Sequence, residues 1–281
     1  MTDYLMRDQA PLSAGEWQAL DDIVVRVARQ RLVARRFLTL FGPVGAGQQS
    51  YAVDRYSDGS DGQIALLDAE ERDIVTAQQR RLVPLPVLYR DLRLHWRDLE
   101  TSRTLGQPLE TSGAAIAAAS VAENEDRLIL TGRSELQQEG FLNAEGRLRL
   151  PLGNWDQMGG AFAAVVNAVQ GLGSGGFPGP YAVVVPPALY ALLNRVYDNT
   201  GVLELQQVQA LAVAGVYLSP VLPASVAVVV APGPENMDIL VAQDLTVAYL
   251  ETTGMDHILR VFEAIALRIK RPGAIAVLGQ A

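Results

Sequence analysis

The sequence predicts an α+β chain that opens on a capped helix and in which a long helical spine packs against a sheet formed late in the chain. Three observations lead there. Ser13 and Glu16 are spaced as a capping box, with Leu12 placed to staple onto Trp17. The run 111–130, TSGAAIAAASVAENEDRLIL, is alanine-rich, with hydroxyl residues at its start and Gly132 just past its end. Segments 239–242, 245–250 and 258–270 alternate at strand spacing.

Taken in order, the first helix carries Trp17, Leu20, Val24 and Val27 on one stripe, with Asp21, Arg26, Arg29 and Arg36 directed elsewhere, and Gly42-Pro43 closes the segment. Residues 44–80 are polar and glycine-punctuated, so they cannot bury much by themselves. A stretch of that length suits an extended arm ordered by partners. Residues 82–96 read as a strand, alternating from Val87 onward. The run 111–130 is a helix of about 30 Å at 1.5 Å per residue, a structural spine. Beyond Pro151 the pattern predicts a helix over 160–170, a buried strand over 181–185, a helix from Pro186-Pro187 to Tyr197 and a strand over 226–230, together an α/β lobe. In the last long strand Leu259, Val261, Ile265, Leu267 and Ile269 share a face.

Composition excludes much chemistry. With 49% hydrophobic and 19% charged residues the 281-residue chain can bury a large core. No apolar run is long enough for a membrane span, and the N-terminus lacks the pattern of a signal peptide, so a cytoplasmic location is expected. There is no cysteine, which removes disulfides, thiolate metal sites and cysteine nucleophiles. His95 and His257 share no metal-ligand spacing, and no metal site is expected. A net charge of -8 argues against nucleic acid as the main partner. The glycine-rich run 171–181 precedes a strand and lacks a GK[ST] ending, so it reads as a connecting loop. The acidic residues Glu70, Glu71, Glu123, Glu125, Asp126 and Glu251 lack an accompanying histidine and read as solvated faces or subunit contacts. No nucleophile is evident, and the chain is not expected to be an enzyme.

Collinear segments carry a resemblance: APLSAGEWQALD, LVARRFLTLFGPVGAG, HWRDLE, AENEDRLILTG, GPYAVVV, PENMDILVAQDL and LRIKRPGAI. Together they resemble family 1 encapsulins, the linocin-like shell proteins. That resemblance implies an HK97-like capsid fold with an N-terminal helix and arm facing cargo (1–43), an extended loop (44–81), a peripheral domain with the spine helix (82–132 and 225–281) and an axial domain (133–224). It implies a homo-oligomeric, icosahedral nanocompartment that encloses cargo enzymes carrying a C-terminal targeting peptide. The cargo would be a ferritin-like protein or a dye-decolourising peroxidase, serving iron storage or oxidative-stress protection. By segment, the family's peptide groove falls on Arg35, Leu38, Leu40, Asp244, Leu245 and Thr246, and its five-fold pore loop on Asp198, Asn199 and Thr200. Some relatives bind flavin near a tryptophan that corresponds to Trp96; no cofactor intrinsic to the chain is expected. A phage or prophage major capsid protein is the competing reading.

Overall fold

The capping box forms as the sequence predicts: Ser13 Oγ accepts from the Glu16 N–H at 3.3 Å and the Glu16 carboxylate accepts from the Ser13 N–H at 2.6 Å. It starts helix α1 (Ala14–Arg31) in a computed structural model that describes residues 3–56, 74–196 and 201–280. Glu16 also accepts from Arg103, and that hydrogen bond holds its carboxyl down at about 2 despite partial burial. Trp17, Leu20, Val24 and Ala28 are the buried stripe.

After α1 come a short strand β1 (Leu40–Phe41) and the hairpin β2 (Ser50–Tyr56) and β3 (Ala77–Pro84), which among the described residues form a two-stranded sheet of their own. This hairpin falls within the segment expected to form an arm; residues 57–73 between its strands, including Glu70 and Glu71, lie outside the described residues. Strand β4 (Val87–Leu94) follows, and here one expectation fails. The strand does not run on to Trp96: the His95 side chain accepts from the Arg97 N–H at 3.2 Å and caps helix α2 (Trp96–Leu105), which the alternating pattern concealed. The spine is helix α3 (Ser112–Thr131).

A long strand β9 (Met237–Thr253), unbroken where the sequence suggested two pieces, pairs antiparallel with β10 (Asp256–Ile269). With β1 and β4 they form a four-stranded sheet in the order β1-β9-β10-β4, onto which α1 and α3 pack. Trp17, Leu20, Val24, Ala117, Val121, Val247 and Val261 share one core there.

A second sheet has the order β5-β11-β8-β6-β7, built from β5 (Leu148–Leu150), β6 (Ala182–Val185), β7 (Gly215–Leu218), β8 (Ala227–Val230) and β11 (Ile275–Leu278). Helices α4 (Gly160–Ser174), α5 (Pro187–Leu193) and α6 (Glu204–Leu211) belong to this lobe. The helix expected to reach Tyr197 stops at Leu193, while α6 and β7 replace an expected loop. Sheet pairing also moves the expected boundary: β8 and β11, assigned with residues 225–281 to the peripheral part, hydrogen-bond to each other and to strands of the second sheet. All four residues in each of β6, β8 and β11 are buried, as expected of strands covered on both faces.

Candidate functional site

Helix α1 ends where Leu32 caps it, and the chain then turns through a 3-10 segment, Ala34–Arg36. Asp126 of α3 fixes that turn, its carboxylate accepting from the Val33 N–H at 2.9 Å and the Ala34 N–H at 2.9 Å. The turn directs Arg35 into three carboxylates from three elements. Arg35 Nε donates to Glu125 Oε1 of α3 at 2.8 Å, Nη1 to Asp244 Oδ1 of β9 at 2.7 Å, and Nη2 to Glu263 Oε2 of β10 at 2.8 Å.

A β-bulge shapes the last two partners. Phe262 pairs with Thr246 and Ala264 with Gln243, so Asp244 and Leu245 together oppose the single residue Glu263. Bulges of this kind re-aim side chains next to sites. Here Asp244 is thrown outward, its side chain 60% exposed, while Glu263 stays 1% exposed in the interior. The β-pattern broke at 243–244 in the sequence because of this extra residue.

Electrostatics follow from burial. Burial works against the Arg35 charge, but the Glu125 hydrogen bond and charge, with Glu263 and Asp244, raise its pKa above the usual guanidinium value. Burial, then repulsion from Glu125, pushes the Glu263 carboxyl well above the carboxylate range, and Arg35 pulls the other way. Burial pushes Asp126 up to about 7 against the Ala34 and Val33 N–H groups. The acidic residues Glu125 and Asp126 are therefore not a solvated face, as their sequence suggested; their side chains meet Arg35 and the turn.

A pH dependence results, and its sign is set by raised folded-state values. Glu263 and Asp126 contribute stability that is complete below their unfolded pKa and is lost as pH rises through the folded one. Glu16, lowered to about 2, acts in the opposite sense and only below about pH 4.5. The thermal midpoint should thus fall as pH rises from the ordinary carboxylate range through about 7, where Asp126 ionises, and Glu263→Gln should lessen the fall. Equal slopes for the two proteins would remove Glu263 as a cause.

Beside Arg35 lies a cleft of about 400 Å³ lined by Val25, Ala28, Arg29, Leu32, Arg35, Arg36, Asp244 and Leu245. Its floor is apolar, Ala28, Leu32 and Leu245 packing with Ala122, and its rim is basic. Arg35, Asp244 and Leu245 of the expected groove are brought together here. The others are not. Leu38 is 5% exposed and part of the main core with Ile129 and Phe141. Leu40 is 51% exposed on β1, outside this cleft. Thr246 accepts from Arg7 Nη2 at 3.3 Å and belongs to the N-terminal contacts. Sequence reasoning missed Val25, Ala28, Arg29 and Leu32, although their i, i+3, i+4, i+7 spacing marks a second face of α1.

Asp198, Asn199 and Thr200 lie outside the described residues; the chain flanking them is joined by a bridge between Val196 and Leu203. Trp96, in the first turn of α2, stacks near His95 with Arg97 over its ring at 5.4 Å. His257 shares a 3.0 Å hydrogen bond with Thr252. Among the described residues no group of three or more His, Asp or Glu side chains is placed to hold a metal ion, and no helix is long and apolar enough to cross a membrane.

A family model described as an encapsulating protein for peroxidase matches residues 1–266. The chain is 45% identical over 278 residues to the type 1 encapsulin shell protein EncA of Myxococcus xanthus, covering 99% of this chain and 97% of that one. It belongs to the encapsulin family of shell proteins. Another encapsulin relative, the diheme-cytochrome-encapsulin shell fusion protein of Kuenenia stuttgartiensis, is 39% identical over 94% of this chain and 72% of its own length. Among solved structures, the virus-like particle from Pyrococcus furiosus superposes with a TM-score of 0.76 at 22% identity, covering 93% of this encapsulin and 98% of that chain. The capsid of Myoviridae phage XM1 superposes with a TM-score of 0.61 at 13% identity, over 86% and 90%. The encapsulin therefore has the HK97-like capsid fold, as the resemblance implied.

Proposed function

We propose that this encapsulin assembles into a closed icosahedral nanocompartment and holds cargo enzymes by a C-terminal peptide seated in the cleft between α1 and β9. The observation that carries the reading is an apolar floor of Ala28, Leu32 and Leu245 beneath a rim of Arg29, Arg35 and Arg36. Burying one leucine-sized side chain there contributes about 1.5–3 kcal/mol. A single peptide would bind modestly, and a cargo oligomer engaging several subunits would gain the rest by avidity. Support for redox or iron-handling cargo comes from relatives in which shell and partner share one chain, the diheme-cytochrome fusion and a ferritin-like-encapsulin fusion from Pyrococcus furiosus. A ferritin-like protein or a dye-decolourising peroxidase fits that company, in service of iron storage or oxidative-stress protection in the cytoplasm.

The role is structural rather than catalytic in this reading, and a flavin stacking on Trp96, as in some relatives, would have to displace the His95 and Arg97 contacts. Casein hydrolysis by cargo-free shells, abolished by one substitution, would overturn the non-catalytic assignment. The peptide assignment is tested by co-expressing the shell with the cargo encoded beside it. Leu245→Asp should leave particles intact and lower co-purified cargo by roughly tenfold, since it places a charge on the apolar floor. Deleting the cargo's last dozen or so residues should do the same. Full loading of either sample would remove the cleft from the proposal.

A further inference from the structure

The β2–β3 hairpin poses a mechanical problem. A two-stranded ribbon is marginal alone; Tyr51 and Val83 rest on the four-stranded sheet and the Tyr56 N–H donates to the Lys270 carbonyl at 3.1 Å, yet Ile74 and Val75, just before β3, and Leu82 on β3 are 65%, 78% and 71% exposed. Something must fix the direction in which it leaves the subunit. Glu139 sits at that point. Arg55 of β2 and Arg81 of β3 both pair with Glu139 Oε2, Arg81 through Nη1 at 2.7 Å, so one carboxylate ties both strands. Next to it, the buried Gln138 donates from Nε2 to the Pro84 carbonyl at 2.6 Å.

The segment that carries Glu139 is itself bound to the spine. Phe141 and Leu142 N–H groups donate to Ile129 and Leu130 carbonyls of α3 at 3.0 and 2.9 Å, and Arg133 and Gln138 exchange backbone hydrogen bonds. The backbones of Gly132 and Gly140 approach so closely that a Cβ on Gly140 would lie 2.2 Å from the Gly132 nitrogen. Orientation is thereby passed from α3 through a stiff turn to both strands of the arm. The paired side chains are 12% (Arg55), 33% (Arg81) and 23% (Glu139) exposed, shielded enough for the ion pairs to hold. By contrast Arg80, 72% exposed, pairs with Asp54 inside the hairpin, and among the described residues no hydrogen bond or ion pair from it reaches the rest of the subunit.

We infer that Glu139 is a positioning residue for shell assembly, setting the angle between the arm and the spine so that arms of neighbouring subunits meet in one geometry. This rests on the shell reading above. Because every subunit of a closed particle repeats the angle, small errors accumulate around the shell.

The test compares full-length wild type, Glu139→Ala, Arg81→Ala, Arg80→Ala and the triple swap Glu139→Arg with Arg55→Glu and Arg81→Glu. Particle diameters are read by electron microscopy, and folding by circular dichroism. Uniform closed particles should fall by about tenfold in Glu139→Ala, with the remainder spread in diameter or open, while the circular dichroism spectrum is unchanged. Arg81→Ala should shift the same way by less, Arg80→Ala should match wild type, and the swap should restore uniformity. A purely stabilising contact would lower the melting temperature without broadening diameters. Wild-type diameters in a folded Glu139→Ala would overturn the inference, as would wild-type diameters in Arg81→Ala should Glu139→Ala fail to fold. If wild type makes no closed particle, the shell reading falls and the inference with it.

Discussion

Arg35→Ala should cost this protein about 3–5 kcal/mol, a large part of the roughly 5–15 kcal/mol that holds a folded chain together. The reason is what remains rather than what is lost. Glu125 is 0% and Glu263 1% exposed, and their shared counter-charge is the Arg35 guanidinium. Removing it leaves two buried carboxyl groups without their donor, and Glu263, whose charged form burial already disfavours, loses the one group that favoured it. One Glu263 oxygen already has no hydrogen-bond partner, so no spare donor is in contact to compensate. Arg35→Lys should recover only part of the loss, because one ammonium cannot reproduce a planar fork reaching three carboxylates in three directions. A triple variant, Arg35→Met with Glu125→Gln and Glu263→Gln, should recover more, since it removes the guanidinium and both buried ionisable partners together. Denaturant midpoints and soluble yield measure all three. A midpoint for Arg35→Ala within about 1 kcal/mol of wild type would show that water enters and solvates the acids.

The same cluster shows where sequence reading stops. The capping box of Ser13 and Glu16 and the run 111–130 were legible because helix starts and helix composition are local properties, written in neighbouring residues. Alternation along 258–269 was legible for the same reason. Arg35, Asp244 and Leu245 came from the encapsulin resemblance and do lie together. What local pattern cannot carry is pairing across distance. Glu125 and Glu263 look like ordinary surface acids until Arg35, 90 and 228 positions away, is placed between them. The β9 strand looked broken because a bulge spends two residues, Asp244 and Leu245, against one partner, and only the register with β10 reveals it. Helix α2 was hidden because its cap is His95, a weak capping residue, and the strand-like alternation ran straight up to it.

Leu38→Asp should abolish soluble folded protein, whereas the same change at Leu40 should be tolerated and at Leu245 should affect loading alone. Leu38 and Leu40 lie in one segment and look interchangeable as hydrophobic anchors of a peptide groove. Their surroundings differ by an order of magnitude in exposure. Leu38, 5% exposed, packs in the core where the turn after α1 meets α3 and the second sheet. An aspartate there must either ionise without a partner or protonate, and it also leaves space that leucine filled. Together these cost several kcal/mol or more. Leu40 is 51% exposed at the edge strand β1, where a carboxylate keeps its water. Leu245 is half-buried on the cleft floor, so its charge is felt mainly when an apolar side chain must sit against it. Soluble yield, denaturant midpoint and co-purified cargo, measured on the three variants side by side, separate core from edge from dock. Soluble, fully loaded Leu38→Asp shells would mean that Leu38 reaches the cleft after all, and the boundary drawn between core and dock would have to move.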